Sequence, residues 1–119
     1  MIALAEGELD SIPGVSEGTI SAITLCELQH GLRVADESEL LSRASTLSFV
    51  ESTLEVLPID ATVAPHFGRL MATARRVRGK RIGDANALIA ATAAAHGLPL
   101  YTRDRDFDGI EGPPEIVHA

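Results

Sequence analysis

The stretch from Asp84 to His96 narrows most what this chain can fold into. Nearly every residue between Asp84 and Gly97 is apolar, and Ala dominates. A helix this apolar has little face for water, so it is expected to be buried on most sides. Asp84 reads as its N-cap and Gly97 as the C′ residue, and Pro99 blocks continuation. Leu98–Thr102 follows at once and reads as a strand. A buried helix running straight into a strand points to an α/β fold with layers on both sides of a sheet.

The rest of the chain repeats that alternation. A helix is expected over Ile2–Glu8, a short strand over Gly18–Ser21 and a helix over Ala22–Val34. A long helix runs from Ser38 to about Glu55, with Leu40, Leu41, Leu47, Val50 and Leu54 near helical spacing. Val56–Ile59 reads as a strand that is short or at an edge, because Pro58 cannot donate to a ladder. Ala64–Val77 reads as a helix, 104–108 as a polar loop and Glu115–His118 as the last strand. Strands separated by helices imply a parallel sheet covered on both faces. The length, 119 residues, suits one domain over residues 1–119.

Composition removes several function classes. Aromatics are 3% of the chain and Trp is absent, which argues for tightly packed helices rather than a stacking platform for bases. Cys26 is the sole cysteine, so an internal disulfide and a cysteine-based zinc site are both excluded and a reducing, cytoplasmic setting is expected. Met1–Ala5 is apolar but stops at Glu6, too short for a signal peptide. No run reaches the ~18 apolar residues of a membrane span, so no membrane partner is expected.

The net charge is −7, unfavourable for a nucleic-acid binder. Its distribution reverses that impression. Arg69, Arg75, Arg76, Arg78, Lys80 and Arg81 fall within one short stretch, and a local basic strip on an acidic body still attracts phosphates. The plain alternative is a solvated helix end.

Ligands of open parallel sheets bind beyond the carboxyl ends of the strands. The acids near such ends are Glu27, Asp84, Asp104 and Asp106. Glu27 lies between two apolar stripes of its helix, where a carboxylate needs a cation or hydrogen-bond donors, or must reach solvent at the helix margin. Asp84 is explained by capping alone, but it also adjoins the basic strip. Asp104 and Asp106 directly follow the Leu98–Thr102 strand, and Thr102 is placed to orient an Asp or a bound water. Hard divalent ions such as Mg²⁺ favour such oxygen donors. The Ser and His residues offer no spacing for a nucleophilic triad.

Three segments, Ile20–Leu28, Ile82–Ala93 and Gly97–Phe107, resemble in order and spacing the PIN-domain ribonucleases, and among these the VapC-like toxins of toxin–antitoxin pairs. The resemblance implies a three-layer α/β/α domain that hydrolyses RNA with Mg²⁺ or Mn²⁺. It implies Glu27, Asp84 and Asp104 as metal ligands with Asp106 beside them. Arg75, Arg76, Arg78, Lys80 and Arg81 of the basic strip are then expected to guide the RNA backbone toward Asp84. The resemblance also implies a homodimer and a small antitoxin protein that blocks the acidic site. One departure stands out. The family opens with a strand ending in an Asp-Thr-Ser/Asn motif, whereas Met1–Leu4 resembles the helix after that motif. The expectation is therefore a sheet lacking its first, central strand and the Asp that ends it, with Glu6 and Glu8 exposed on the helix. A non-catalytic module that binds an antitoxin or itself is the rival reading. A phosphoacceptor receiver-like domain is discounted, since the only lysine, Lys80, precedes Asp84.

Overall fold

A computed structural model describes residues 3–4 and 18–118. Its elements in chain order are β1 (Ala3–Leu4), β2 (Thr19–Ser21), α1 (Ala22–Arg33), α2 (Glu37–Thr53), β3 (Glu55–Leu57), α3 (Ala64–Arg78), α4 (Asp84–Ala95), β4 (Leu100–Thr102) and β5 (Ile116–His118). The strands form one parallel sheet in the order β3-β2-β1-β4-β5. The strand expected at Val56 to be short or at an edge is β3, which lies at an edge.

The opening segment corrects the sequence reading twice. Ala3–Leu4 is strand, not helix, and it fills the central slot thought to be missing. Ala3 pairs with Thr19 and Leu100, and Leu4 with Ile20 and Tyr101. A gap there would leave the inner edges of β2 and β4 without ladder partners, a cost of about 1–3 kcal/mol per buried group. Two apolar residues carry no periodicity that separates helix from strand, so only this ladder demand settles their conformation. Residues from Ala5 to Glu17, including Glu6 and Glu8, lie outside the described residues.

Helices cover both faces of the sheet. On one face α3 and α4 enclose Val63, Leu70, Ala74, Ile89, Ala90 and Leu100. On the other, Val50 of α2 and Leu54, the C-cap of that helix, meet Ile20, with Leu25, Leu28 and Tyr101 packed against them. Leu100 and Tyr101 thus point to opposite faces, as adjacent strand residues must. Ala87, Ala90, Ala91 and Ala93 are wholly buried, and their small side chains allow neighbours on several sides of α4.

The ends of α4 explain how it is held. Gly97 takes the left-handed conformation (φ 65°), while Leu98 N–H reaches Ala93 O at 2.9 Å and Gly97 N–H reaches Ala94 O at 3.1 Å. These are the two bonds of a Schellman cap, as the Gly-Leu-Pro run leads one to expect. The other end differs from expectation. Gly83, not Asp84, is the N-cap, and among the described residues no side-chain cap bond is made there. Asp84 is the first helical residue, with its carboxylate turned elsewhere.

Candidate active site at the carboxyl edge of the sheet

The strand order reverses direction at β1: the chain moves outward through β2 and β3, then returns to place β4 on the other side. Such a switch point opens a crevice at the carboxyl ends of the two strands beside it. Asp104 lies two residues beyond β4, at that place.

A chain of local hydrogen bonds fixes the turn after β4. Thr102 is buried, and its Oγ1 accepts the Asp104 N–H at 3.0 Å. Asp104 Oδ1 accepts the Asp106 N–H at 2.9 Å. Phe107, 4% exposed, anchors the turn in the core. Thr102 accordingly orients Asp104, one of the two roles its position suggested. Asp104 and Asp106, both half-buried, share this one turn.

Asn86 ties this turn to α4. Its Nδ2 donates to Asp104 Oδ2 at 2.6 Å. Sequence reasoning passed over this residue, although a signal existed: Asn86 and Thr92 are the only polar residues of α4 after Asp84. In a helix otherwise buried and apolar, a polar side chain needs a partner.

Asp84 stands at the start of the same helix. Ile82 is buried and pins the connector from α3, while Arg81 and Asp84 face outward. Arg81 Nη2 forms an ion pair with Asp84 Oδ1. Because Asp84 caps nothing, its capping explanation falls away.

Glu27 lies half-buried in the middle of α1. A buried hydroxyl pair joins the start of α1 to α4, with Ser21 Oγ and Thr92 Oγ1 3.1 Å apart. Thr92 gives its proton to Leu88 O at 2.7 Å, so Ser21 must donate to Thr92. Ser21 Oγ in turn accepts the Ile23 N–H at 3.3 Å, as the N-cap of α1. Among the described residues, no three Asp, Glu, His or Cys side chains form a group ready to hold a metal. Asp84 is engaged by Arg81 and Asp104 by Asn86 instead.

The basic strip divides by role. Arg78 Nη1 donates to the Arg105 carbonyl at 2.5 Å, and Arg69 donates to the carbonyls of Glu111 (3.3 Å) and Pro113. These two guanidiniums hold the segment after β4. Arg75, Arg76 and Lys80 are exposed. A cleft of about 570 Å³ opens beside them, with Phe67, Met71 and Ala72 as its apolar wall and Arg75, Arg76 and Arg81 as its rim.

Residues 3–113 match the family model described as the PIN domain. The chain belongs to the PIN-domain family. Ribonuclease VapC5 of Mycobacterium tuberculosis is 33% identical over 98 residues, covering 81% of this chain and 70% of that protein. The tRNA(fMet)-specific endonuclease VapC of Shigella flexneri is 34% identical over 97 residues, covering 78% and 69%. Among solved structures, the VapBC-5 toxin–antitoxin complex of M. tuberculosis superposes with a TM-score of 0.72 at 26% identity, covering 87% of this PIN domain and 97% of that chain. The α/β architecture expected from the sequence is thus the architecture of the family.

Proposed function

We propose that this PIN domain is the RNA-cleaving toxin of a toxin–antitoxin pair, and that it hydrolyses phosphodiester bonds with a divalent cation. The relatives named above are ribonucleases, and a structural neighbour is a toxin–antitoxin complex. The observation that carries the site is the bond from Asn86 to Asp104, which joins the start of α4 to the turn after β4 at the switch point of the sheet.

The donor set suits the cation in kind. Glu27, Asp84, Asp104 and Asp106 offer carboxylate oxygens, the donors that Mg²⁺ or Mn²⁺ prefers, and this set would hold the ion once Asp84 exchanges Arg81 for it. A bound ion supplies polarisation of the phosphate and a more acidic water. Asn86 and Thr102 keep Asp104 oriented. Arg75, Arg76 and Lys80, joined by Arg81 on release from Asp84, draw the RNA backbone toward the acids.

A small antitoxin protein covering this acidic edge, and a homodimeric toxin, complete the proposal. Among the described residues no helix is long and apolar enough to cross a membrane. Cys26 is a free, exposed thiol, which suits the cytoplasm. We also infer that residues 1–119 act as one domain.

The test is cleavage of RNA by the purified chain with Mg²⁺ or Mn²⁺. Cleavage should stop with a chelator and with Asp104→Asn, and return when the metal is restored. Cleavage indifferent to both would sink the proposal. The lack of a three-acid group among the described residues favours a second reading, a PIN-like module that binds an antitoxin without cutting RNA. Antitoxin binding with no cleavage under any metal would establish that reading.

A further inference from the structure

The turn carrying Asp104 and Asp106 is gripped from α3. The carbonyl of Arg105 accepts both Arg78 Nη1, at 2.5 Å, and the Asp108 N–H, at 3.1 Å. That carbonyl belongs to the peptide joining Arg105 to Asp106. The N–H of the same peptide goes to Asp104 Oδ1 at 2.9 Å. One rigid peptide plane therefore has Arg78 on its oxygen and the Asp104 carboxylate on its nitrogen. Turning the plane at one end displaces the partner at the other.

The rest of α3 reinforces this grip. Arg69 holds the carbonyls of Glu111 and Pro113, on either side of Gly112 (φ 87°). A Cβ at Gly112 would stand 3.1 Å from Arg69 Nη1, and one at Gly109 would stand 3.6 Å from Val77 Cγ1. The loop is thus held by α3 at separate points, Arg69, Val77 and Arg78.

We propose that Arg78 is a positioning residue that sets Asp104 and Asp106 for cation binding, and that it is not a phosphate contact. The proposal rests on the reading of those two acids as cation ligands. A charged donor makes a strong bond to a carbonyl, and its loss frees the peptide plane. Because the Asp108 N–H still satisfies the Arg105 carbonyl, losing Arg78 leaves no orphaned acceptor, and the fold survives. Partners one shell out from a metal typically alter its affinity by about 10–100-fold.

Amide hydrogen exchange and Mn²⁺ binding, measured on the intact chain with Arg78→Ala and Arg78→Lys, test this. Arg78→Ala should speed exchange at the Asp106 amide about tenfold and weaken Mn²⁺ binding by about tenfold or more. Arg78→Lys, which keeps one charged donor, should recover part of both. The salt dependence of RNA binding should be the same in all three proteins. Unchanged exchange and Mn²⁺ affinity, with a salt slope reduced by about one, would make Arg78 a phosphate contact and overturn the proposal. Faster Asp106 exchange in a chain that binds no Mn²⁺ would uphold the clamp and reject the metal reading.

Discussion

Asn86 Nδ2 lies 2.6 Å from Asp104 Oδ2, so one side chain of the buried helix α4 holds a carboxylate at the carboxyl edge of the sheet. The amide shares that carboxylate with the Asp106 N–H, which takes the other oxygen. Asp104 therefore has a defined orientation.

Replacing Asn86 should separate positioning from stability. Asn86→Ala should weaken Mn²⁺ binding by about 10–100-fold and cost about 1–3 kcal/mol of stability. Calorimetric titration with Mn²⁺ and urea unfolding measure the two effects. Unaltered Mn²⁺ affinity in a folded Asn86→Ala protein would detach Asn86 from the site.

Asp84 should matter for catalysis far more than for folding. It caps nothing, and its ion pair with Arg81 is exposed on both sides, at 65% and 63% of the side chains. Such pairs contribute about 0–1 kcal/mol. Asp84→Asn should accordingly unfold within about 1 kcal/mol of the parent while losing metal-dependent RNA cleavage. Full cleavage by Asp84→Asn would remove it from the ligand set.

The Ser21–Thr92 pair predicts a coupled stability effect. Thr92→Val removes the acceptor for the Ser21 hydroxyl and should cost about 1–3 kcal/mol. Combining it with Ser21→Ala should cost less than the sum of the two single changes, because the double variant strands no hydroxyl. A double-mutant cycle by urea unfolding reads this coupling. Strict additivity would mean that the two hydroxyls do not depend on each other.

Acid should loosen α2 from its N-terminus. Asp36 caps this helix, and its carboxyl is held below the ordinary value, chiefly by the Ser38 hydroxyl at 2.6 Å and further by the Glu39 N–H. A depressed folded-state pKa means that the stabilisation is complete above the unfolded value of about 3.9. It is lost as pH falls through the lower folded value. Asp36→Asn keeps an acceptor at the cap but cannot titrate, so its acid-induced loss of helix should begin at lower pH. Circular dichroism between about pH 5 and about pH 2 follows this directly. Identical acid transitions would show that other groups govern the limb.

Much of the fold was legible in the residues because its signals are local. The apolar run of α4, its Gly97 cap and Pro99 announce a buried helix with a sharp end, and the structure supplies both Schellman bonds there. Pro58 announced a strand that is short or at an edge, and β3 is both, ending at Leu57 just before the proline. Asp104 and Asp106 could be placed beyond the carboxyl end of a strand because they directly follow the Leu98–Thr102 run, and β4 ends at Thr102.

What tertiary structure decided is whatever depends on partners distant in sequence. Ala3 and Leu4 became a central strand because β2 and β4 flank a slot that needs ladder partners on both sides, and no local pattern reports such a demand. Asn86 acquired its role 18 residues away, at Asp104. Arg78, which reads as one member of a basic strip, is committed 27 residues away to the Arg105 carbonyl, whereas Arg75 and Lys80 stay exposed. Charge and spacing are written in the chain. The direction each side chain takes depends on which carbonyl or carboxylate the folded backbone sets within about 3 Å of it, because a hydrogen bond has no reach beyond that distance.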